Sequence, residues 1–241
     1  MTEFLPLDLL SSGARELGLE LDAAALRQLD EFARLLVERN RSLNLTRITN
    51  PQDIVVNHYL DSLTCLAAAT FESGARVIDV GTGAGFPGIP IAAARPDLRV
   101  VLMDATRKKL AFVEEAAARI GLVNVEILSA RAEEAGHDPA HREQYDIVVT
   151  RALSEMRVLV ELCLPLACVG GALIAQKSSD IEDEVNAALP MIGELGGRLT
   201  HVERIALPCT DTLRVIAVVS KVRPTPAGFP RPYARIVRRN T

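Results

Sequence analysis

Val77-Ile78-Asp79-Val80-Gly81-Thr82-Gly83-Ala84-Gly85-Phe86-Pro87-Gly88 is the stretch on which the reading of the fold turns. A short apolar run gives way to alternate glycines and then to a proline-led segment, the pattern of a strand that ends in a tight turn and opens a helix. Glycine in such a turn permits positive φ and close approach of a ligand to the backbone, with the helix N-terminus facing it. Gly83, Gly85 and Gly88 also satisfy the dinucleotide pattern G-x-G-x-x-G, so a nicotinamide-dependent oxidoreductase is one reading of the turn. Two neighbours argue against it. Asp79 sets an acid inside the strand, where dinucleotide folds usually have an apolar residue. Pro87 removes an amide that a pyrophosphate would use.

Downstream, short apolar runs alternate with helical stretches. Strands are predicted at Arg76–Val80, Arg99–Asp104, Val123–Leu128, Tyr145–Thr150 and Ala172–Gln176. Helices are predicted at Pro87–Ala94, Lys108–Ile120, Ala130–Ala135, Glu155–Ala167 and Ile181–Leu195. Alternation of this kind implies βαβ units and a parallel sheet covered on both faces. Thr200–Leu207 and Leu213–Lys221 are joined only through Pro208–Asp211, too short for a parallel crossover, so they pair antiparallel. The second strand ends in Asp104, an acid placed to accept ribose hydroxyls from a nucleoside cofactor. Five parallel strands with an antiparallel edge pair are the sheet of the Rossmann-like S-adenosylmethionine-dependent methyltransferases, which also commonly carry an acid at the position of Asp79. Upstream, residues 1–72 read as a helical extension. Asp22 caps a helix over Ala23–Asn40, and a second runs from Pro51 to about Ala69.

Net charge divides the chain. The 241 residues carry 27 Lys+Arg against 31 Asp+Glu, a formal −4 that on average argues against nucleic acid. The last acid is Asp211, however, and residues 221–241 hold Lys221, Arg223, Arg231, Arg235, Arg238 and Arg239, leaving −10 on residues 1–220. A core over 73–221 thus carries a basic tail over 222–241, an asymmetry that suggests a polyanion partner. Arginine supplies 23 of the 27 basic residues and suits bidentate phosphate contacts. Arg39, Arg41, Arg47, Arg131, Lys177 and the tail are the candidates for contact with such a polyanion. No run approaches the roughly 20 apolar residues of a membrane span. Glu3 and Asp8 precede the first basic residue, unlike a signal peptide. Cys65, Cys163, Cys168 and Cys209 lack zinc-site spacing and read as reduced thiols of a cytoplasmic protein.

The run Asp79–Pro90, DVGTGAGFPGIP, closely resembles the bacterial guanine-N7 methyltransferases of 16S ribosomal RNA, the glucose-inhibited-division B family. The resemblance extends along nearly the whole chain. It includes Asn44-Leu45-Thr46, His58-Tyr59-Leu60-Asp61-Ser62, Asp104 with Lys108-Lys109, Arg131-Ala132-Glu133, Tyr145-Asp146 leading to Arg151-Ala152, the Pro165 to Gly171 turn, and Lys177. It departs at the end, where the family commonly has Pro-Arg…Gly-x-Pro and this chain has Pro230-Arg231-Pro232-Tyr233-Ala234-Arg235. The resemblance implies S-adenosylmethionine as cofactor, held by Gly81, Phe86, Asp104, Ala105, Thr106, Ala132, Glu133 and Arg151. The turn itself adds Gly83, whose backbone can approach the methionine part. The implied substrate is guanine 527 in the 530 loop of 16S ribosomal RNA, naked or in the small subunit. The expected working unit is a monomer with no membrane partner.

Guanine N7 carries an unprotonated in-plane lone pair at neutral pH, so in-line transfer to it needs alignment and exclusion of water rather than a general base. Thr150-Arg151-Ala152 after the fourth strand lacks the Asn/Asp-Pro-Pro-aromatic signature of exocyclic amino methylases. Pro208-Cys209 matches the nucleophile pair of cytosine-C5 methylases but falls in the edge-hairpin turn. No catalytic acid, base or nucleophile is therefore assigned. His137 and His141 read as solvated loop histidines rather than metal ligands. His58 and Asp61, one helical turn apart, are a helix-surface pair or, by the resemblance, neighbours of the target base.

Overall fold

The computed structural model describes residues 3–151, 154–177 and 181–238. Ala152 and Arg239 lie outside the described residues. Its sheet has the order β3-β2-β1-β4-β5-β7-β6. Strands β1 (Arg76–Val80), β2 (Arg99–Asp104), β3 (Val125–Ser129), β4 (Tyr145–Arg151) and β5 (Ala167–Lys177) are parallel. β6 (Gly197–Ala206) and β7 (Leu213–Lys221) pair antiparallel, and β7 also runs antiparallel to β5. Five parallel strands and the antiparallel edge pair are as the sequence predicts.

The helices in chain order are α1 (Leu7–Glu16), α2 (Ala23–Leu43), α3 (Pro51–Ile54), α4 (Asp61–Ala68), α5 (Gly88–Ala94), α6 (Arg107–Arg119), α7 (Ala132–Ala135), α8 (Met156–Cys163), α9 (Glu182–Glu194) and α10 (Tyr233–Ile236). Asp22 caps α2 by accepting the Ala25 amide at 2.7 Å, and Asn44 closes it in the left-handed conformation. Side chains alternate across each strand, so β1 faces two cores. Val77 joins the N-terminal helices and α5 in a cluster with Phe32, Leu60 and Ile89, while Ile78 and Val80 join Leu159 and Ile192 on the opposite face. The same alternation turns Asp79 toward α5.

Several predicted boundaries move, among them the starts of β5 and β6, which begin at Ala167 and Gly197, and the end of α2, which runs to Leu43. β3 starts at Val125, and Val123 is 98% exposed, so β-branching there carried no burial. The helix predicted to reach Ala167 stops at Cys163, gives one tight 3₁₀ turn through Pro165, and Ala167 already belongs to β5. Proline lacks the amide a continuing helix needs. The helix predicted from Pro51 to about Ala69 is interrupted by a π-helical stretch over Val55–Leu60. That wider turn matters because it carries His58. Such insertions concentrate at functional sites.

Candidate active site

The glycine turn is closed on itself. The amides of Gly81 and Thr82 donate to Met103 O at 2.9 and 3.0 Å, and those of Gly85 and Phe86 both donate to Thr82 O. The Gly88 amide, first in α5, donates to the buried Asp79 Oδ2 at 2.8 Å. Asp79 therefore does for the helix N-terminus what a bound anion would do. A pyrophosphate finds those amides engaged, which answers the dinucleotide reading. Burial pushes the Asp79 carboxyl up to about 7, against the Thr82 hydroxyl, the Gly88 amide and the Arg151 charge, which pull it down.

Asp104 ties the turn to the next loop. Its Oδ2 accepts the Gly83 amide at 3.0 Å and its Oδ1 accepts the Thr106 amide at 2.7 Å. Each carboxylate oxygen has a further lone pair for a ligand hydroxyl. A pocket opens beside it, lined by Gly81, Asp104, Ala105, Ala132 and Glu133 at the carboxyl ends of β1, β2 and β3, the ligand side of an open α/β sheet. Gly81 and Gly83 hold φ of +77° and +58°, and a Cβ at Gly83 would meet only Gly81 O, at 3.9 Å. Two carboxylates, apolar walls and open backbone fit a nucleoside that carries positive charge and no phosphate. Arg131 sets one cation at the rim beside Glu133, and Leu162 and Tyr233 add to the lining from α8 and α10. Neither carries a recognisable motif, since α8 and the tail reach this pocket only through the tertiary fold.

Gly83 and Thr106 reach this pocket only through Asp104, and Phe86 and Arg151 do not line it. Phe86 is buried, with its ring stacked on His58 at 4.3 Å between centroids. The Arg151 guanidinium lies 5.1 Å from the centre of the Phe86 ring and forms an ion pair with Asp61 Oδ2 at 2.9 Å. His58 and Asp61 are only 6% and 5% exposed, which removes the helix-surface reading of the pair. Asp61 Oδ1 accepts from Gln176 Nε2 at 2.9 Å and from Arg214 Nε. His58 Nε2 meets Thr46 Oγ1 at 2.8 Å. A second pocket is lined by His58, Asp61, Arg151, Gln176 and Arg214, with Ile48, Asn57 and Lys177. Burial, reinforced by the Arg151 charge, drives the His58 imidazole down to about 3. Gln176 and Arg214 were not legible in the sequence, because they stand on β5 and β7 more than a hundred residues from Asp61.

The other sequence candidates are placed as follows. Arg39 pairs with Glu115, Arg131 lies 3.9 Å from Glu133, and Lys177 pairs with Glu184, whereas Arg41 and Arg47 are exposed. Cys209 sits in the β6–β7 turn. Burial pushes the thiols of Cys65 and Cys163 well up, so both are held protonated. His137 is exposed and His141 half-buried, and each also has a partner within the chain: they meet Pro230 O and the Tyr145 hydroxyl, each at 2.7 Å. Among the described residues no cluster of His, Cys, Asp and Glu could hold a metal, and no helix is long and apolar enough to cross a membrane.

The tail, expected from its charge to meet a polyanion, is anchored to the body at Thr225, Pro230 and Ile236 while most of residues 222–238 stay exposed. Arg142 donates to the carbonyls of Phe229 and Thr225 at 2.6 and 2.7 Å. Arg231 pairs with the fully buried Glu161 at 2.7 Å, and the buried Lys221 pairs with Glu143 at 3.1 Å. Two of the six positive charges of residues 221–241 therefore point inward, one of them Lys221 at the end of β7.

Comparison with known proteins agrees with this geometry. Residues 25–207 match the family model described as GidB, rRNA small subunit methyltransferase G. A Ribosomal RNA small subunit methyltransferase G from Pelotomaculum thermopropionicum is 47% identical over 222 residues, covering 92% of this chain and 93% of that protein. One from Roseiflexus sp. (strain RS-1) is 45% identical, covering 93% and 95%. Among solved structures, a SAM dependent methyltransferase from Aquifex aeolicus superposes with a TM-score of 0.54 at 17% identity, covering 70% of this chain and 93% of that one. That likeness speaks to the fold, a Rossmann-like sheet.

Proposed function

The chain belongs to the rRNA small subunit methyltransferase G (GidB) family, and from that premise we propose that it methylates N7 of guanine 527, in the 530 loop of 16S ribosomal RNA, by direct in-line transfer without a protein base. It is an S-adenosylmethionine-dependent methyltransferase of 16S ribosomal RNA. When bound, the cofactor supplies a methyl group on a sulfonium, which departs with the bonding electrons left on sulfur.

In this reading Asp104 accepts the ribose hydroxyls, Gly81 and Gly83 let the methionine part approach the backbone, and Ala105 and Thr106 complete that wall. Ala132 and Glu133 meet the adenine. Phe86 and Arg151 separate this pocket from the second one, which takes the target guanine. The helices of residues 1–72 supply His58 and Asp61 to that second pocket, residues 73–221 supply the transfer machinery, and the tail over 222–241 adds exposed arginines. The protein works as a monomer, since one chain contributes both pockets.

The observation that carries the choice of N7 is the lack of a competent proton acceptor in the second pocket among the described residues. His58 is held far below neutrality, which makes it a weak base. Both Asp61 oxygens are engaged by Arg151, Arg214 and Gln176. A nucleophile that must lose a proton finds no help there, whereas a free lone pair needs none. Nucleoside analysis of 16S ribosomal RNA tests this, using RNA or small subunits from a strain lacking the enzyme, treated with labelled S-adenosylmethionine. Label in 7-methylguanosine is the expected result. Label in an exocyclic amine or a ribose methyl group would overturn the proposal.

A further inference from the structure

The C-terminal segment reaches into the cofactor pocket. Tyr233 opens α10, is 44% exposed, and lines the same pocket as Gly81, Asp104, Ala132 and Glu133. It is the single aromatic among the described residues lining that pocket. It is also held from both sides. Two residues before it, Arg231 gives Glu161 three hydrogen bonds, from its amide at 2.9 Å, Nε at 2.8 Å and Nη2 at 2.7 Å. Glu161 is 0% exposed, and its neighbour Leu162 forms part of the pocket wall. Three residues after Tyr233, the Ile236 side chain is fully buried and its carbonyl accepts Arg157 Nη2 at 2.9 Å.

A half-exposed aromatic ring between two fixed points has already lost much of the freedom that ligand binding would otherwise remove. It borders a pocket that carries Asp104 and Glu133 beside Arg131 and that, in the function proposed above, takes a nucleoside. Stacking a purine on such a ring is favourable whatever the base. We propose that Tyr233 packs its ring against the nucleoside base of the cofactor, so that the C-terminal strap is a working wall of the cofactor site. This inference rests on the S-adenosylmethionine reading above. It separates two roles within one tail, in which Arg231 and Ile236 position the strap, Tyr233 contacts the cofactor, and the exposed arginines are left to face RNA.

Binding of S-adenosylhomocysteine to the full chain, without RNA, tests the inference by calorimetry. Wild type binds, Tyr233→Phe binds about as well because the ring remains, and Tyr233→Ala binds roughly five-fold to a hundred-fold more weakly, the range of one base–aromatic stack. Tyr233→Leu, which keeps bulk in case α10 requires it, weakens binding likewise. Arg235→Ala on the same short helix leaves the affinity unchanged. The chain has no Trp, and Tyr59 and Tyr145 are fully buried, so ligand-induced quenching of tyrosine emission that disappears in Tyr233→Phe gives an independent signature of the contact. Wild-type affinity in Tyr233→Ala, or equal losses in the Ala and Phe variants, would overturn the role of the ring. Failure of the wild type to bind would instead overturn the cofactor reading, and this inference with it.

Discussion

Two buried titratable side chains beside the glycine turn respond to pH in opposite directions. Asp79 ordinarily titrates near 3.8 and is pushed up to about 7 by burial, so between those values the native state keeps a proton that the unfolded chain has released. Its contribution to stability is complete below about pH 4 and is lost as pH rises to about 7. His58, lowered from 6.5 to about 3, acts in reverse: the unfolded chain takes up a proton that the native state refuses, and stability is lost as pH falls through that range. The two slopes oppose each other between about pH 4 and 6.5, so the wild-type curve hides both. Asp79→Asn keeps an acceptor for the Gly88 amide and removes one slope. Urea unfolding of variant and wild type side by side should show the difference moving in the variant's favour as pH rises from 4 to 7, by at most ~1.4 kcal/mol per pH unit. A difference that stays constant across that range would mean that Asp79 titrates as an ordinary carboxyl. Asp79 itself was legible in the sequence as an acid out of place in a strand. Its partner was not, because only the folded turn brings the Gly88 amide to it.

The elements that were legible are those whose ends are set by local chemistry. β1 and β2 begin and end where the sequence places them, at Arg76–Val80 and Arg99–Asp104, because glycine or a capping acid stops each apolar run. The π-helical stretch over Val55–Leu60 was not legible, since its residues fit an ordinary helix equally well and tertiary packing selects the wider turn. The anchoring of the tail was hidden for a similar reason: its partners, Glu161 and Arg142, lie some 70 to 90 residues away and carry no local signal. The close fit of α5 against the sheet gives a prediction at this scale. A Cβ on Gly88 would stand 2.1 Å from Leu102 Cδ2 and 2.9 Å from Asp79 Oδ2, in a region without free space. Gly88→Ala should therefore push α5 off β2, costing about 1–3 kcal/mol in a urea titration and weakening S-adenosylhomocysteine binding at the same time. An unchanged unfolding midpoint would show that the turn can relax at no cost.

Across the whole molecule, net charge conceals the useful quantity, and the fold refines even its distribution. Lys221 and Arg231 serve the body by neutralising Glu143 and Glu161, so a count of six charges over residues 221–241 overstates what RNA can meet. Arg235 and Arg238 are exposed on the described part of the tail. Replacing both with Ala should reduce the magnitude of the log–log salt slope of RNA binding by about 1.4, at roughly 0.7 per single-strand phosphate contact. Cofactor affinity should not change. An unaltered salt slope would take the tail out of RNA binding. Asp104 and Glu133 at one pocket, Arg151, Lys177 and Arg214 at its neighbour and a strap that borders the first fit an enzyme that brings a cationic donor to a polyanion. The most direct test of that account is chemical strand scission at 7-methylguanine, mapped by primer extension on 16S ribosomal RNA. The RNA comes from a strain lacking the enzyme and is treated with the protein and S-adenosylmethionine. The account predicts one new stop, at guanine 527 in the 530 loop, absent when either component is left out. A stop at another guanine, or methyl incorporation with no new stop, would contradict it.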